Sequence, residues 1–398
     1  MATRSGTLGA ASKPRTGTRA STATKRGEPA TLVMVATGAL VLLGLVMILS
    51  ASSVSSFATY GSSFLYFNKQ LLWAAIGLAG FVFFSRYDYR RLKGKGYVLL
   101  PIVGVLLIAV LIPGVGIVAG GSARWIGAGP LAFQPSELAK LALILFLADV
   151  FSRKEEATLQ DLAHTLLPFA PVLGGLAFLV MMQPDMGTTL LVGSIGIGML
   201  FAAGAPLRYI LPMGALGLAG AVGAALSADY RRERVLAFMD PWADPLNTGY
   251  HTIQSLIALG SGGWLGVGLG ASRQKWSYIP NAHTDFIFAI LGEEMGLLGT
   301  ITVLGLFGFI AYLGVRIART APDRFGMLVA AGITIWIGVQ ALVNIGAVTA
   351  TMPITGVPLP LVSFGGSSLV VSLMAMGVLT NIARQARKPR RKKRPATG

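Results

Sequence analysis

The chain has 398 residues, of which 54% are hydrophobic and only 12% are charged, about half the charged fraction of an ordinary soluble domain. This composition excludes a soluble globular protein and a disordered one, because the apolar residues come in long blocks without charge. The chain contains no cysteine, which excludes disulfides, thiolate metal sites and a cysteine nucleophile.

The net charge of +17 is concentrated at the two ends of the chain. Residues 1–29 and 384–398 are rich in Lys and Arg and show no apolar periodicity. We therefore predict two disordered, basic cytoplasmic tails that lie near anionic lipid. Because the charge sits in these tails, we expect no nucleic-acid partner.

The residues between the tails, 30–383, are predicted to form one membrane domain of ten transmembrane helices. The first helix begins near Ala30 and is too long to be the apolar core of a cleaved signal peptide. The uncharged stretch 325–383 is too long for one crossing, and its Pro and Gly residues divide it in two. The nine later spans are centred on Gly77, Leu107, Ile144, Gly175, Ser194, Leu216, Leu304, Ile335 and Met374.

The distribution of Lys and Arg predicts how these helices are oriented. Ten spans place both termini on one side, and with that side cytoplasmic most Lys and Arg residues fall inside, as the positive-inside rule requires. The sequence thus predicts an all-α polytopic protein of the cytoplasmic (inner) membrane with both termini in the cytoplasm.

One outer connection, between the predicted helices 7 and 8, is much longer than the others. It covers residues 228–284 and combines an arginine cluster at 231–234, a Pro- and Trp-containing turn at 240–245 and an apolar segment at 253–259. Loops of this length usually carry function. We expect this loop to fold against the membrane face, with 253–259 as an interfacial or re-entrant helix.

Asp285 lies where the long loop enters the eighth span. From the residues alone, two interpretations are open: Asp285, or Thr284 before it, caps the helix, or the carboxylate belongs to a functional site. Glu293 and Glu294 follow about two turns further into an apolar span, where a carboxylate is costly without a partner. Their presence favours the functional interpretation.

A second group of polar residues surrounds the start of the fourth span. Glu137 and Lys140 are three residues apart and share one face of a helix. They form either an internal ion pair that joins two spans or part of a binding site. Arg124 beside Trp125 offers a cation next to an aromatic ring at the headgroup level. The histidines show no metal-ligand spacing, so we predict no metal site.

These motifs, in this order, resemble the SEDS family (shape, elongation, division and sporulation), and the match covers residues 30–384. No single motif is specific for this family, but the occurrence of all of them in one order along ten predicted spans is specific for it. The motifs that carry the resemblance are Arg124 with Trp125, residues 133–137, residues 183–185, residues 249–250 with 254–255, residues 282–288 with 292–294, and residues 358–368.

The resemblance implies a peptidoglycan glycosyltransferase that polymerises lipid II on the outer face of the cytoplasmic membrane. It also implies a class B penicillin-binding protein as the transpeptidase partner, together with other division proteins. Residues 272–275 and 282–285 are more similar to the division (FtsW-like) branch than to the elongation (RodA-like) branch. His251 is a variant typical of the elongation branch, which remains the alternative.

By the same resemblance, Asp285 matches the essential aspartate of the family, and a carboxylate can accept the proton of an attacking sugar hydroxyl. The departing lipid diphosphate requires positive charge, and the resemblance leaves a divalent cation, Mg²⁺ or Mn²⁺, open. We expect a single displacement that inverts the anomeric centre. The residues predicted to bind substrate are Arg124, Trp125, Glu137, Lys140, Gln183, Asp185, Arg231, Arg234, Gln254, Lys275, His283, Thr284 and Ser367.

Two other functions fit parts of the sequence. A transporter (flippase) for lipid II would also have many spans and charged residues at membrane depth. The transporter hypothesis explains Asp285 less well. Alternating access requires contacts with the cargo on both faces of the membrane, whereas the polar residues are concentrated on the predicted outer face. A scaffold that only recruits division proteins would leave Asp285 dispensable.

Overall fold

A computed structural model of the chain describes residues 28–119, 121–127, 129, 132–154, 161–227, 229–276, 279 and 282–386. The side chains of residues 119, 162–167 and 229–231 are outside this description. The two predicted tails lie outside the described residues, except for residues 28–29 and 384–386.

Helices make up most of the described chain, together with one two-stranded antiparallel sheet, β1 (Ile117–Ala119) and β2 (Ser122–Trp125). The helices are α1 (Glu28–Tyr60), α2 (Leu65–Arg86), α3 (Gly96–Leu111), α4 (Pro135–Ser152), α5 (Leu162–Met181), α6 (Met186–Ala203), α7 (Leu207–Leu226), α8 (Asp229–Met239), α9 (Tyr250–Ser261), α10 (Ile287–Thr320), α11 (Arg324–Val348) and α12 (Gly366–Gln385).

The helices are those of a polytopic membrane protein. Within the described residues, seven of them, α1, α2, α6, α7, α10, α11 and α12, are long and apolar enough to cross a membrane. The apolar helix α3 and the segment Pro168–Met181 of α5 are shorter, and α4 carries Glu137, Lys140 and Asp149. Each predicted span centre lies in one of these ten helices.

Two local predictions are confirmed. The uncharged stretch 325–383 is divided, because α11 ends at Val348 and α12 begins at Gly366. The long loop contains two helices of its own, α8 and α9, and α9 includes the apolar segment predicted to be helical.

The core of the bundle lies around α4 and α12. Apart from Leu138, every residue of α4 from Pro135 to Phe151 is buried, and α12 is buried along most of its length. By contrast, α7 exposes large apolar side chains such as Leu211, Leu216 and Leu218. In a membrane protein such an apolar surface faces lipid, so α7 lies at the edge of the bundle. The helices α4 and α12, which are buried on nearly all sides, lie in its interior.

A sharp break divides α10 near its start. Gly296 has φ of 65° and ψ of −162°, in a region that residues with a side chain rarely adopt. The glycine-containing segment 262–268 packs against this break: Val267 N donates to Glu293 O (2.9 Å) and Leu297 N to Gly263 O (2.9 Å). A Cβ on Gly266 would lie 2.1 Å from Glu294 O, so the glycines permit close backbone packing.

Candidate active site

Asp285 does not cap α10. The N-cap position is occupied by Phe286, which forms no side-chain cap hydrogen bond. The interpretation that Asp285 is the N-cap residue of α10 is therefore wrong.

The backbone around Asp285 is fixed by three hydrogen bonds. The carbonyls of residues 285, 284 and 283 accept from Asn344 Nδ2 (2.8 Å), Ser363 Oγ (2.6 Å) and Phe364 N (2.9 Å), respectively. Asn344 lies on α11, and the other two donors lie on the connection between α11 and α12. This connection and the last turns of α11 therefore position the segment that carries Asp285.

The carboxylate of Asp285 is partly buried and accepts no hydrogen bond from the residues that the structure describes. Burial raises its pKa to about 6, although the positive charges of Arg234 and Arg124 favour the ionised form; the negative charge of Asp185 adds to the rise. At neutral pH most molecules still carry the ionised carboxylate. It holds a proton more strongly than an ordinary Asp does, which suits a general base.

Arg124 is brought to this site by the small β-sheet. It lies on β2, and its guanidinium donates to the carbonyls of Gln183 (3.1 Å) and Pro184. It is also 4.0 Å from Asp185 Oδ2, and Asp185 caps α6 by accepting from Thr188 N (3.0 Å). Arg124 thus joins the sheet to the start of α6, while 26% of its side chain stays exposed.

A second cation reaches the site from the long loop. Arg234 lies on α8, and its Nη1 donates to Ile354 O on the α11–α12 connection (3.4 Å). Gln254 is half-buried on α9. The next residue, Ser255, donates to the last carbonyl of α11 (2.8 Å) and attaches α9 to the bundle. The predicted contact of Arg231 lies outside the described side chains.

His283 is held between aromatic rings. Its ring centroid is 4.7 Å from that of Tyr66 and 5.5 Å from that of Phe364. Burial lowers the pKa of His283 to about 4, so the ring is neutral at pH 7 and a weaker base than Asp285. Thr284 and Trp125, the latter at the end of β2, are also partly exposed.

Glu137 and Lys140 form an internal ion pair. Lys140 Nζ is 2.8 Å from Glu137 Oε2 and donates to Gln340 Oε1 (2.9 Å), and the ring of Trp336 is 5.0 Å from the ammonium. Lys140 is 0% exposed and Glu137 is 2% exposed. Of the two interpretations, the ion pair is the arrangement observed, and Lys140 has no exposed atom with which to touch a substrate.

Two further residues predicted to bind substrate are buried and join helices. Gln183 Nε2 donates to Leu107 O (3.1 Å), and Ser367 Oγ accepts from Gln134 N (3.2 Å). Each is 1% exposed. In this arrangement both contribute to the position of the site and have almost no surface for direct contact.

Lys275 belongs to a different cluster, together with Glu293 and Glu294. The carboxylate of Glu293 accepts from Ser272 Oγ, and that of Glu294 accepts from Ser50 Oγ on α1 (2.6 Å) and lies 3.7 Å from Lys275 Nζ. Both glutamates are buried. Their carboxylates fix residues 272–275 to α10 and α1, which is a structural explanation for acids that the sequence presented as candidates for a functional site.

Sequence reasoning missed the amides that hold the site. Asn344 also donates to Val357 O (2.8 Å), and Gln340, four residues earlier on α11, donates to Pro358 O (2.9 Å). Gln70 on α2 donates to Ser363 O (3.3 Å) and accepts from Gly365 N. The sequence did contain a signal for these residues, namely amide side chains inside apolar spans. An amide in such a position is costly unless it is hydrogen-bonded.

The described residues contain no group of three or more His, Cys, Asp or Glu side chains that could hold a metal ion. The oxygens of Asp185 already accept from Thr188 N and Thr188 Oγ. Asp285 is therefore the carboxylate available to a divalent cation near the two arginines, and most of the ligands would have to come from the substrate.

An apolar cavity of about 420 Å³ lies beside the segment that carries Asp285. It is formed between α9, the broken start of α10 and the C-terminal end of α11, and its walls include Leu259, Trp264, Phe288, Leu297 and Ile345. Phe288, in the wall of this cavity, is three residues from Asp285 along the chain. The apolar cavity therefore adjoins the segment that carries the carboxylate.

Comparison with known proteins gives one consistent result. Residues 30–388 match the family described as cell cycle protein, FtsW/RodA/SpoVE. The chain is 45% identical over 368 residues to stage V sporulation protein E of Bacillus subtilis, covering 92% of this chain and 99% of that protein.

It is 42% identical over 345 residues to the "probable peptidoglycan glycosyltransferase FtsW" of Geobacter metallireducens, covering 87% of this chain and 92% of that protein. A solved structure described as "structural coordination of polymerization and crosslinking by a peptidoglycan synthase complex" is 33% identical, with a TM-score of 0.72 over 88% of this chain and 96% of that chain. The chain therefore belongs to the FtsW/RodA/SpoVE family, the SEDS family that its motifs resemble.

Proposed function

We propose that the protein is a peptidoglycan glycosyltransferase that polymerises lipid II at the outer face of the cytoplasmic membrane during cell division, with Asp285 as the general base. The observation that carries this proposal is the carboxylate of Asp285, which has a fixed backbone, a pKa raised to about 6 and no hydrogen bond from a described residue. The name of the Geobacter relative supports the same activity and the division branch.

The proposed topology has ten spans, formed by α1 to α7 and α10 to α12, with both termini in the cytoplasm. The positive-inside rule supports it, because the basic residues of 86–95 and 316–324 then lie inside. The loop that contains α8 and α9 lies outside, and so does Asp285.

The proposed reaction is a single displacement. The 4-hydroxyl of one lipid II attacks the anomeric carbon of a second glycan, while Asp285 accepts the hydroxyl proton. The bond between that carbon and the diphosphate breaks, and undecaprenyl diphosphate leaves. Arg124 and Arg234 stabilise its developing negative charge. Because the hydroxyl attacks opposite the leaving group, the anomeric centre is inverted and no covalent glycosyl-enzyme forms.

The other predicted residues have distinct roles in this proposal. Partly exposed Trp125, Gln254, His283 and Thr284 contact the sugars or the diphosphate. Buried residues position them, namely Glu137, Lys140, Gln183, Asp185 and Ser367. The apolar cavity beside Phe288 receives part of a polyprenyl chain, since its walls are almost entirely apolar.

We also propose a class B penicillin-binding protein as the transpeptidase partner. The related solved structure concerns polymerization and crosslinking by one complex, which supports a polymerase that works beside a crosslinking enzyme. Co-purification from native membranes that recovers such a transpeptidase would support this partner, and recovery of the chain without one would contradict it.

The test is polymerisation of lipid II by the purified full chain in detergent, where no second compartment exists. We expect glycan strands, and we expect none from Asp285→Ala. Glu233→Gln is the matched control, because Glu233 is an exposed acid of the same outer loop. A transporter or a scaffold would give no strands from any variant, and a folded Asp285→Ala protein with normal activity would overturn the role of Asp285.

A further inference from the structure

A cavity of about 350 Å³ lies at the far end of the bundle from Asp285. Arg324 is the first residue of α11 and Asn344, beside Asp285, lies on its last turns, about 30 Å away at the helical rise per residue. The residues that line the cavity are Arg90, Lys93, Ser152, Asp323, Arg324 and Phe325. Three of these carry positive charge and one carries negative charge, so the lining is basic.

The one acid of the lining is fully engaged within the chain. Asp323 Oδ2 accepts from Tyr89 Oη (2.6 Å) and Arg90 Nε (3.1 Å), and Oδ1 accepts from Gly326 N (2.8 Å) as the cap of α11. Asp323 therefore balances Arg90 and has little capacity left for the other two cations.

Lys93 and Arg324 have donors that the described residues leave unused. Lys93 is exposed, and its backbone N donates to Arg90 O (3.1 Å), but its ammonium forms no hydrogen bond or ion pair with a described residue. Arg324 donates through Nη2 to Ala203 O (3.1 Å), but its Nε is buried and has no acceptor among the described residues. A buried donor without an acceptor is unfavourable, and an anion in the cavity would lessen this penalty.

Within the part of the chain that the structure describes, the neighbouring acids Asp149 and Asp88 do not neutralise this excess charge. Asp149 is paired with Arg153 (2.7 Å), and Asp88 lies 4.0 Å from Arg90. Phe325, which is 3% exposed, supplies an apolar wall. A basic cavity with one apolar wall, at the ends of membrane helices, fits a charged phosphate group whose remainder is apolar.

We propose that this cavity binds an anionic phosphate group through Lys93 and Arg324, with Arg90 adding positive charge. A phospholipid headgroup of the surrounding leaflet and a soluble phosphate ester share this chemistry. Bound there, the phosphate joins the α2–α3 connection to the start of α11, and it stabilises the folded chain because it binds only that state.

The probe is dioctanoyl phosphatidylglycerol, added to the full chain in detergent, and the readout is the reactivity of Lys93 towards an amine reagent, measured by mass spectrometry. We expect protection of Lys93 and none of Lys95, an exposed lysine two residues later that does not line the cavity. The variants are compared by the rise of the thermal unfolding midpoint with lipid concentration, because Lys93→Gln has no amine to label at residue 93. We expect Lys93→Gln to weaken binding about tenfold, from the loss of one charge-assisted hydrogen bond. Lys95→Gln is the matched control and leaves binding unchanged.

A second arm uses glycerol 3-phosphate. Protection of Lys93 by both probes supports the site and shows that the phosphate suffices, whereas protection by the lipid alone supports the site and assigns it to a membrane headgroup. Equal protection of Lys93 and Lys95, equal effects of the two substitutions, or equal protection by zwitterionic dioctanoyl phosphatidylcholine would overturn the proposal. Thermal unfolding of each variant verifies that Lys93→Gln is folded.

Discussion

The segment from 285 to 294 carries three acids that differ in their surroundings. Asp285 lies just before the apolar helix α10, whereas Glu293 and Glu294 lie within it. Glu293 and Glu294 are buried, and their carboxylates accept hydrogen bonds from Ser272 and Ser50, respectively. Lys275 lies 3.7 Å from Oε1 of Glu294, whereas Oε2 of Glu294 has no partner among the described residues. Asp285 is partly buried and its carboxylate has no such donor among the described residues.

We propose that this difference separates a structural acid from a reactive one. A carboxylate that accepts several hydrogen bonds is stabilised in its ionised form and is poorly disposed to take up a proton. A carboxylate that is desolvated but not bonded has a raised pKa and stays available. The hydrogen bond from Asn344 goes instead to the backbone carbonyl of Asp285. This bond fixes the position of the residue and leaves its carboxylate oxygens unoccupied.

The largest expected effect is the loss of the free carboxylate. We expect Asp285→Asn to lower the rate of lipid II polymerisation by about 10²- to 10⁴-fold, the usual contribution of a general base. Its thermal unfolding midpoint should match that of the unchanged protein, because the substitution preserves shape and removes no hydrogen bond. Normal activity in a folded Asp285→Asn sample would end the distinction between the two kinds of acid.

The next effect is on stability. We expect Glu294→Gln to lower the free energy of unfolding by about 3–5 kcal/mol, because it leaves Lys275 buried without its counter-charge. Glu233→Gln, on the exposed surface of α8, should change it little. Thermal unfolding in detergent measures both. If Glu294→Gln unfolds normally yet cannot polymerise lipid II, then Glu294 is a reactive acid and the comparison fails.

A smaller effect is expected from the cation on α8. Arg234 favours the ionised form of Asp285, so Arg234→Gln should raise the pKa of Asp285 and move the acid limb of the pH–rate profile to higher pH. We also expect a rate about ten- to a hundredfold lower at neutral pH, from weaker stabilisation of the leaving diphosphate. Arg232→Gln, an exposed neighbour on the same helix, is the control, and equal losses from both variants would contradict the assignment.

The smallest effect is expected at His283. We expect His283→Phe to change the rate by about twofold or less, since the ring is neutral at pH 7 and packs between Tyr66 and Phe364. The acid limb of the pH–rate profile should stay at the same pH in this variant. A loss of activity as large as that of Asp285→Asn would make the histidine the base.

Much of the helical architecture follows from the sequence, because blocks without charge have few alternatives to crossing the bilayer. The division of 325–383 and the helix at 253–259 were predictable for a similar local reason: Pro, Gly and apolar runs act over a few residues. The proposal that Asp285 is the general base came from a recognised motif rather than from periodicity.

The interior of the site was not predictable in the same way. Gln70 contacts Ser363 across 293 residues of sequence, and Arg124 reaches residues 59 and 60 positions away; no local pattern encodes such distances. Lys140 illustrates the limit: its spacing from Glu137 suggested a pair, but only the packing of Gln340 and Trp336 around it reveals that the pair is buried.

The most direct measurement is the pH dependence of the initial rate of lipid II polymerisation by the purified protein. We expect the rate to be half-maximal near pH 6 and to fall about tenfold for each further unit of acidification, because the base must be ionised and the pKa of Asp285 is about 6. A rate that stays constant from about pH 7 down to about pH 5 would contradict the role of Asp285 as the general base.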